Sequence, residues 1–312
     1  MTPLHGPAFL LLGAGLGALL LHRLLPLLRR RLVDQPNARS SHQRPTPRGG
    51  GLAFVLVGCG LAPLAGAGWP AWIPLICLPL ALVGLLDDRL DLPAAWRYGV
   101  QIATAGALVA ITPLALPWWL VPVAVFAATA VVNFVNFSDG LDGLVAGCAS
   151  VLLVVAVLAM APAGGDALLP LIGALVSFLA WNWSPARVFM GDVGSTFLGA
   201  VIAGMVLQQA TPALALGLLL AGFPLLGDAC LCVLRRLAAG QPIFQAHRLH
   251  LYQRLHQAGW PHGRVALLYI GGTALLGAAL LLRGLPLELG LLLLQLALGL
   301  WLDRHQAVPF SP

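Results

Sequence analysis

Apolar runs of bilayer-spanning length recur from one end of this chain to the other, and they restrict its possible folds more than any other feature. A helix needs roughly 17–25 apolar residues to cross a hydrocarbon core of about 30 Å. Hydropathy and turn signals predict about eleven helices, over 7–28, 49–67, 71–86, 98–113, 117–135, 143–162, 167–183, 195–209, 212–234, 264–282 and 286–302. Charged residues make up 9% of the chain and the mean hydropathy is +0.90. Soluble domains carry roughly a quarter charged residues, so a soluble bundle is excluded. The expected class is an all-α, multi-pass integral membrane protein forming one domain over 1–312. The first run is longer than a signal-peptide core and lacks a charged segment before it, so it is expected to remain as a span.

The connections alternate between two kinds. Short Pro- or Gly-bearing turns occur near 68–70, 112–113, 162–165, 211–212 and 283–284. Longer polar loops cover 29–48, 87–97, 136–142, 184–194 and 235–263, followed by a tail from Asp303. Alternating the sides puts every long loop and the tail on one face. All of the 17 basic residues, which are Arg throughout, fall on that face except Arg23, near the end of the first span, and Arg283. The positive-inside rule makes that face cytoplasmic and puts the N-terminus outside. The net charge of +6 is therefore a topology signal, and no nucleic-acid partner is expected.

Charge inside a bilayer is costly and tends to mark function, which makes the acids informative. Of the 11, all but Glu288 are Asp. Most sit in or beside the cytoplasmic loops. Asp228 lies within the ninth predicted span, while Asp166 and Glu288 fall at the outer side, where an interfacial role is expected. Short carboxylates gathered at one face suit a hard cation such as Mg2+, which is often shared between carboxylates and substrate phosphates. The five Cys (59, 77, 148, 230 and 232) lie in or beside apolar runs, show no metal-ligand spacing, and predict no disulfide.

Several segments concentrate polar chemistry. In Asp87-Asp88-Arg89-Leu90-Asp91, three carboxylates end a helix, where negative charge opposes the macrodipole. Asn133, Asn136, Asp139 and Asp142 surround a Gly-punctuated turn; the two Asp also suit helix capping, which leaves the amides unexplained. Gly191-Asp192-Val193-Gly194-Ser195-Thr196 opens a helix and suits either a cap or phosphate binding through backbone N–H groups. Asp228 is either a functional acid or the partner of Arg235 or Arg236. His247, Arg248 and His250 suit phosphate recognition or the polar face of a surface helix. Two His three apart also suit a transition metal, but no Cys or carboxylate is adjacent in sequence. Arg39 and His42, in a Pro/Gly-rich loop, suit either topology or an anionic lipid head group.

Taken in order, these elements resemble the polyprenyl-phosphate N-acetylhexosamine-1-phosphate transferases, in particular the bacterial branch that initiates O-antigen-type glycans on undecaprenyl phosphate. The matching set is Asp34-x-Pro36-Asn37-x-Arg39-x-x-His42, Asp87-Asp88-x-x-Asp91, Asn133-x-x-Asn136-Phe137-x-Asp139-Gly140-x-Asp142-Gly143, Gly191-Asp192-x-Gly194-Ser195, Asp228 and His247-Arg248-x-His250-x-Tyr252-Gln253. The related phospho-N-acetylmuramoyl-pentapeptide transferases share the Asp motifs but carry consecutive His where this chain has His247 and His250 separated by Arg248 and Leu249.

The resemblance implies attack by a polyprenyl-phosphate oxygen on the β-phosphorus of a UDP-sugar, with UMP leaving and Mg2+, or Mn2+ in its place, as cofactor. It implies Asp87, Asp88 and Asp228 as catalytic residues and Asp88, Asp228 and Asp142 as metal ligands, with Asp87 activating the lipid phosphate. It further implies substrate contacts from Asn133, Asn136, Asp139, Asp142, Asp192, His247, Arg248, His250, Arg39 and His42. The partners implied are a UDP-N-acetylhexosamine, undecaprenyl phosphate and membrane lipids, and a homodimer is compatible with this arrangement. The alternatives are a muramoyl-pentapeptide substrate and, from another class, an ion or metabolite transporter. Transporter sites usually lie near the midplane between repeats, whereas these acids concentrate at one face.

Overall fold

The computed structural model describes residues 5–36, 41–42, 44–90, 92–160, 164–242 and 247–310. Arg39 and Asp91 lie outside the described residues. Thirteen α-helices are found among the described residues: α1 (His5–Arg31), α2 (Leu52–Ala65), α3 (Ile73–Leu90), α4 (Ala94–Ala110), α5 (Val121–Phe137), α6 (Leu144–Met160) and α7 (Leu169–Asn182), followed by α8 (Asp192–Leu207), α9 (Pro212–Ala221), α10 (Phe223–Ala238), α11 (Leu251–Gln257), α12 (His262–Arg283) and α13 (Leu285–His305). Two short strands, β1 (Val33–Asp34) and β2 (Thr46–Pro47), pair antiparallel and pin the first loop beneath α1.

Six helices are long and apolar enough to cross a membrane, or seven if the bent pair α9–α10 is one span. The chain is an all-α, multi-pass membrane protein. Large apolar side chains face outward, as Leu11, Phe126 and Leu293 do. In water such a surface would be unstable; against lipid it is the expected exterior.

At the centre stands α8, buried at every residue from Val193 to Met205. It packs between α3 and α5, and α1 packs along α7. Small residues set these approaches, since lipid supplies no hydrophobic drive and packing must come from backbone proximity. A Cβ on Gly199 would lie 2.7 Å from the Cα of Val132, and one on Gly13 would lie 2.1 Å from the carbonyl oxygen of Pro170.

Two expectations are corrected. The span predicted over 212–234 is not one straight helix: α9 and α10 meet at a 77° bend. Pro224, in the first turn of α10, lacks the N–H that would bond back into α9, and its ring clashes with a continuing helix. Glu288 is not interfacial but fully buried, packed toward Gly217 of α9, with neither carboxylate oxygen hydrogen-bonded.

Candidate active site

A cleft of about 390 Å³ opens where the polar ends of α3, α4, α5 and α8 meet the segment leading into α11. Its wall takes Asp87 from α3, Arg97, Tyr98 and Gln101 from α4, Asn133 and Asn136 from α5, and Asp192 and Thr196 from α8. His247, His250 and Gln253 close the remaining side.

Two glycines bring the acids together. Gly84 lies one helical turn before Asp88, and a Cβ there would sit 2.5 Å from the backbone of Asp192. That contact lets α3 lie directly on the start of α8. Gly191 adopts a φ of +71°, a left-handed conformation costly for any other residue. A Cβ at Gly191 would also strike Oδ2 of Asp88 at 2.5 Å. The Gly-Asp-x-Gly-Ser sequence is thus a turn that delivers Asp192 to the carboxylates of α3.

The acids there are incompletely met. Asp88 is buried, lies against the first backbone N–H groups of α8, and has Oδ1 3.5 Å from Arg48, while Oδ2 has no hydrogen-bond partner. Asp192 lies beside Asp87 and Asn136. Asp139, in the turn after α5, is pushed up to about 8 by burial and then by the charges of Asp192, Asp88 and Asp142. Carboxylates that raise one another in this way bind protons or a cation. A hard divalent ion fits this donor set of buried oxygens, one of them without a partner.

Asp87 is satisfied differently. Its Oδ1 accepts the Leu92 N–H at 2.7 Å, and its Oδ2 lies 2.9 Å from Arg97. Asn133 exchanges amide hydrogen bonds with Gln101 and donates to the Thr129 carbonyl. Arg97, Tyr98 and Gln101 escaped the sequence reading, in which Arg97 counted only toward topology. The available signal was Pro93, which starts a new helix and turns the residues after it back toward Asp87.

Two of the expected metal ligands point elsewhere. Oδ1 of Asp228 accepts the Leu251 N–H at 2.8 Å, while Oδ2 accepts the Tyr252 N–H at 3.1 Å and the Tyr269 hydroxyl at 2.7 Å. Asp228 thus caps α11 from across the bundle, and its oxygens are already occupied. It pairs with neither Arg235 nor Arg236. Arg235 instead holds Asp303 through two bonds at 3.0 and 2.8 Å. Asp142 has Oδ2 3.1 Å from His262 Nδ1 and accepts the Ala186 N–H at 3.1 Å. Burial alone would raise Asp142, but these donors outweigh it and leave the acid below its ordinary value.

His247 and His250 stack with ring centroids 5.0 Å apart. Burial, then the neighbouring His250 and Arg236, push His247 down to about 4, and burial also lowers His250. Arg248 lies between them in sequence, and its carbonyl accepts from Gln257. His42 stands apart from the cleft wall, 3.6 Å from Asp34 and edge-on to Phe189. The His-bearing segment is tethered at α11. The Tyr252 hydroxyl donates to the Phe137 carbonyl at 2.8 Å, and the buried Arg254 bonds Asp303 and the Val308 carbonyl. The Phe310 ring lies under both Arg235 and Arg254.

Comparison with known proteins gives a consistent set of relatives. The family model of glycosyl transferase family 4 matches residues 71–210. A probable undecaprenyl-phosphate N-acetylglucosaminyl 1-phosphate transferase of Bacillus subtilis is 29% identical, covering 84% of this chain and 80% of that protein. A decaprenyl-phosphate N-acetylglucosaminephosphotransferase of Mycobacterium tuberculosis is 32% identical, covering 79% and 75%. A phospho-N-acetylmuramoyl-pentapeptide-transferase of Synechococcus is 33% identical, covering 83% and 86%.

Proposed function

The chain belongs to glycosyl transferase family 4, the polyprenyl-phosphate sugar-1-phosphate transferases, and from that premise we propose that it transfers an N-acetylhexosamine-1-phosphate from a UDP-sugar to undecaprenyl phosphate. The product is the first lipid-linked sugar of an O-antigen-type glycan, and UMP leaves. The observation that carries this reading is one cleft wall holding carboxylates beside donors suited to phosphate. Asp87 and Asp192 line it with Arg97, His247 and His250, and Asp88 and Asp139 lie close enough to Asp192 to interact with it. The reaction runs at the cytoplasmic face of the bacterial inner membrane, with about eleven crossings and a periplasmic N-terminus.

Phosphoryl transfer asks mainly for in-line positioning and charge neutralisation. Asp88 and Asp192 would hold Mg2+, with Mn2+ as a substitute, and Asp139 stands beside them. An ion held by these residues would supply positive charge to the diphosphate as charge develops on the leaving UMP. Arg97, fixed by Asp87, offers its remaining donors to a phosphate. Asp87 therefore orients Arg97 and takes no proton, since a lipid phosphate is already largely ionised. Asn133 and Asn136 face the nucleotide-sugar, and His247 and His250 donate to the diphosphate.

A muramoyl-pentapeptide substrate is the second reading, supported by the Synechococcus relative. The separation of His247 from His250 by Arg248 and Leu249 favours the simpler sugar. The test is UMP release by purified protein from a panel of UDP-N-acetylhexosamines and UDP-muramoyl-pentapeptide, with undecaprenyl phosphate and Mg2+. Release that needs lipid and metal and collapses in Asp88→Asn supports the proposal and ranks the sugars. Folded protein that releases UMP from none of them would sink it.

A further inference from the structure

A second cluster of ligand atoms lies at the edge of the cleft, apart from the carboxylates. The bend at Gly222 directs α10 toward the His-bearing segment, bringing up Cys232, which sequence spacing did not connect to the two His. One ligand atom from each of Cys232, His247 and His250 lies within 4.8 Å of the other two. Cys232 is a free thiol, 3% exposed, and His250 is equally buried. His250 caps α11, its side chain facing the Gln253 backbone N–H while the Gln253 side chain accepts the His250 N–H. A dry thiol beside two imidazoles is a good soft-metal ligand set.

We infer that Cys232, His247 and His250 bind one thiophilic divalent cation of the Zn2+ class, distinct from the hard-cation site at Asp88 and Asp192. Zn–S and Zn–N bonds of about 2.3 and 2.0–2.1 Å place tetrahedral ligand atoms roughly 3.3–3.7 Å apart. His247, half-buried and outside the helices, supplies the small closure required. No carboxylate joins the set, and Arg236 lies nearby with its guanidinium bonded to Gln241 and the Pro242 carbonyl. Asp228 faces Cys232 and His250 with the opposite charge, so the preference for the metal comes from the sulfur and nitrogen donors. Three protein ligands leave a fourth position for water or an anionic oxygen. Occupancy takes both imidazoles away from the diphosphate, so the metal inhibits transfer. Binding rests on these three side chains alone; the inhibition rests on the transferase reading above.

The experiment titrates purified, tag-free full chain with Co2+ and follows absorption, then adds Zn2+. One equivalent of Co2+ should give a thiolate-to-cobalt charge-transfer band that Zn2+ discharges. Cys232→Ala should abolish the band, and Cys230→Ala, pointing from another face of α10, should retain it. His247→Gln, outside any helix, serves if Cys232→Ala fails to fold. In the UMP assay, Zn2+ should inhibit the parent, and Cys232→Ala should keep basal turnover. Loss of one outer-shell partner alone costs roughly 10–100-fold in metal affinity, so the midpoint for inhibition should rise by at least that factor. No band in folded protein, or a band that survives Cys232→Ala, overturns the site. A band without inhibition overturns the link to transfer, and a band in protein that never releases UMP leaves the site standing while the transferase reading falls.

Discussion

The acids of this protein fall into two regions that differ in what meets them. At the start of α8, Asp88, Asp139 and Asp192 face one another, and Asp88 keeps an oxygen with no partner. Around α11, Asp228 accepts three donors, Asp142 has His262 and the Ala186 N–H, and Asp303 holds Arg235 and Arg254. Both regions bury negative charge in an apolar protein. In the second the charge is answered within the fold, so it builds architecture. In the first it is left open to an outside partner, and that difference separates binding from scaffolding better than residue type does.

The comparison breaks most visibly at the open acids. Asp88→Asn or Asp192→Asn should lower UMP release on the order of 10³-fold, the scale of losing a key electrostatic contact in a transition state. Melting of the metal-free protein should hold steady or rise, because a repulsion has been removed. A fall in melting comparable to that of the capping acids would erase the distinction.

Asp228→Asn comes next. The amide can still accept one backbone N–H of α11 but turns an NH2 toward the other, which should cost roughly 1–3 kcal/mol of stability. Turnover should drop about ten-fold, close to 1.4 kcal/mol, as His250 shifts with α11. The Mg2+ concentration for half-maximal rate should not change. If Asp228 were a metal ligand, that concentration would climb steeply instead.

Asp139 and Asp142 are three residues apart and should respond to pH with opposite signs. The native Asp139 keeps its proton up to about 8, whereas the unfolded chain releases it near 3.8. Between those values the native state binds more protons, so its contribution to stability falls as pH rises. Asp139→Asn should therefore melt higher than the parent at pH 8, by about 2–4 °C per kcal/mol recovered. Asp142 is depressed, so its stabilisation is present above its ordinary value and lost as pH falls through the lower native one. Asp142→Asn should melt below the parent at neutral pH and converge with it in acid. Matching melting shifts for the two variants would count against the division.

Arg235→Ala should give the smallest effect, within about 1 kcal/mol, since Arg235 is half-exposed and exposed ion pairs contribute little. Asp303 retains the buried Arg254, so a larger loss measured by thermal melting would move this pair into the structural core.

Much of this was legible in the sequence because membrane constraints are strong and local. Apolar runs give helices, and Asp87, Asp88, Asn133, Asn136, Asp139 and Asp192 were readable as costly polar groups in the wrong solvent. What the sequence could not show was which acids are answered. The partners of Asp228 come from Leu251, Tyr252 and Tyr269, at separations of 23, 24 and 41 residues. No local pattern ties them together, so Asp228 read as a metal ligand. Asp192 stayed open between a cap and phosphate binding because its closeness to Asp88 depends on Gly84 contacting a helix far along the chain. The bend at Gly222 was hidden because an apolar stretch with one Pro reads equally well as a straight span.

Gly84 and Gly191 have a meaning for anyone wishing to silence such a protein without altering its chemistry. Each faces a gap narrower than a methyl group, one against the backbone of Asp192 and the other against the carboxylate of Asp88. Adding that methyl leaves every acid, amide and imidazole in the chain yet forces the two helix ends apart. Gly84→Ala is thus a natural inert control, a molecule with the full complement of reactive groups and the wrong spacing between them. The same logic makes these two positions poor places for drift: a neutral-looking change in composition there acts as a ruler set to the wrong length.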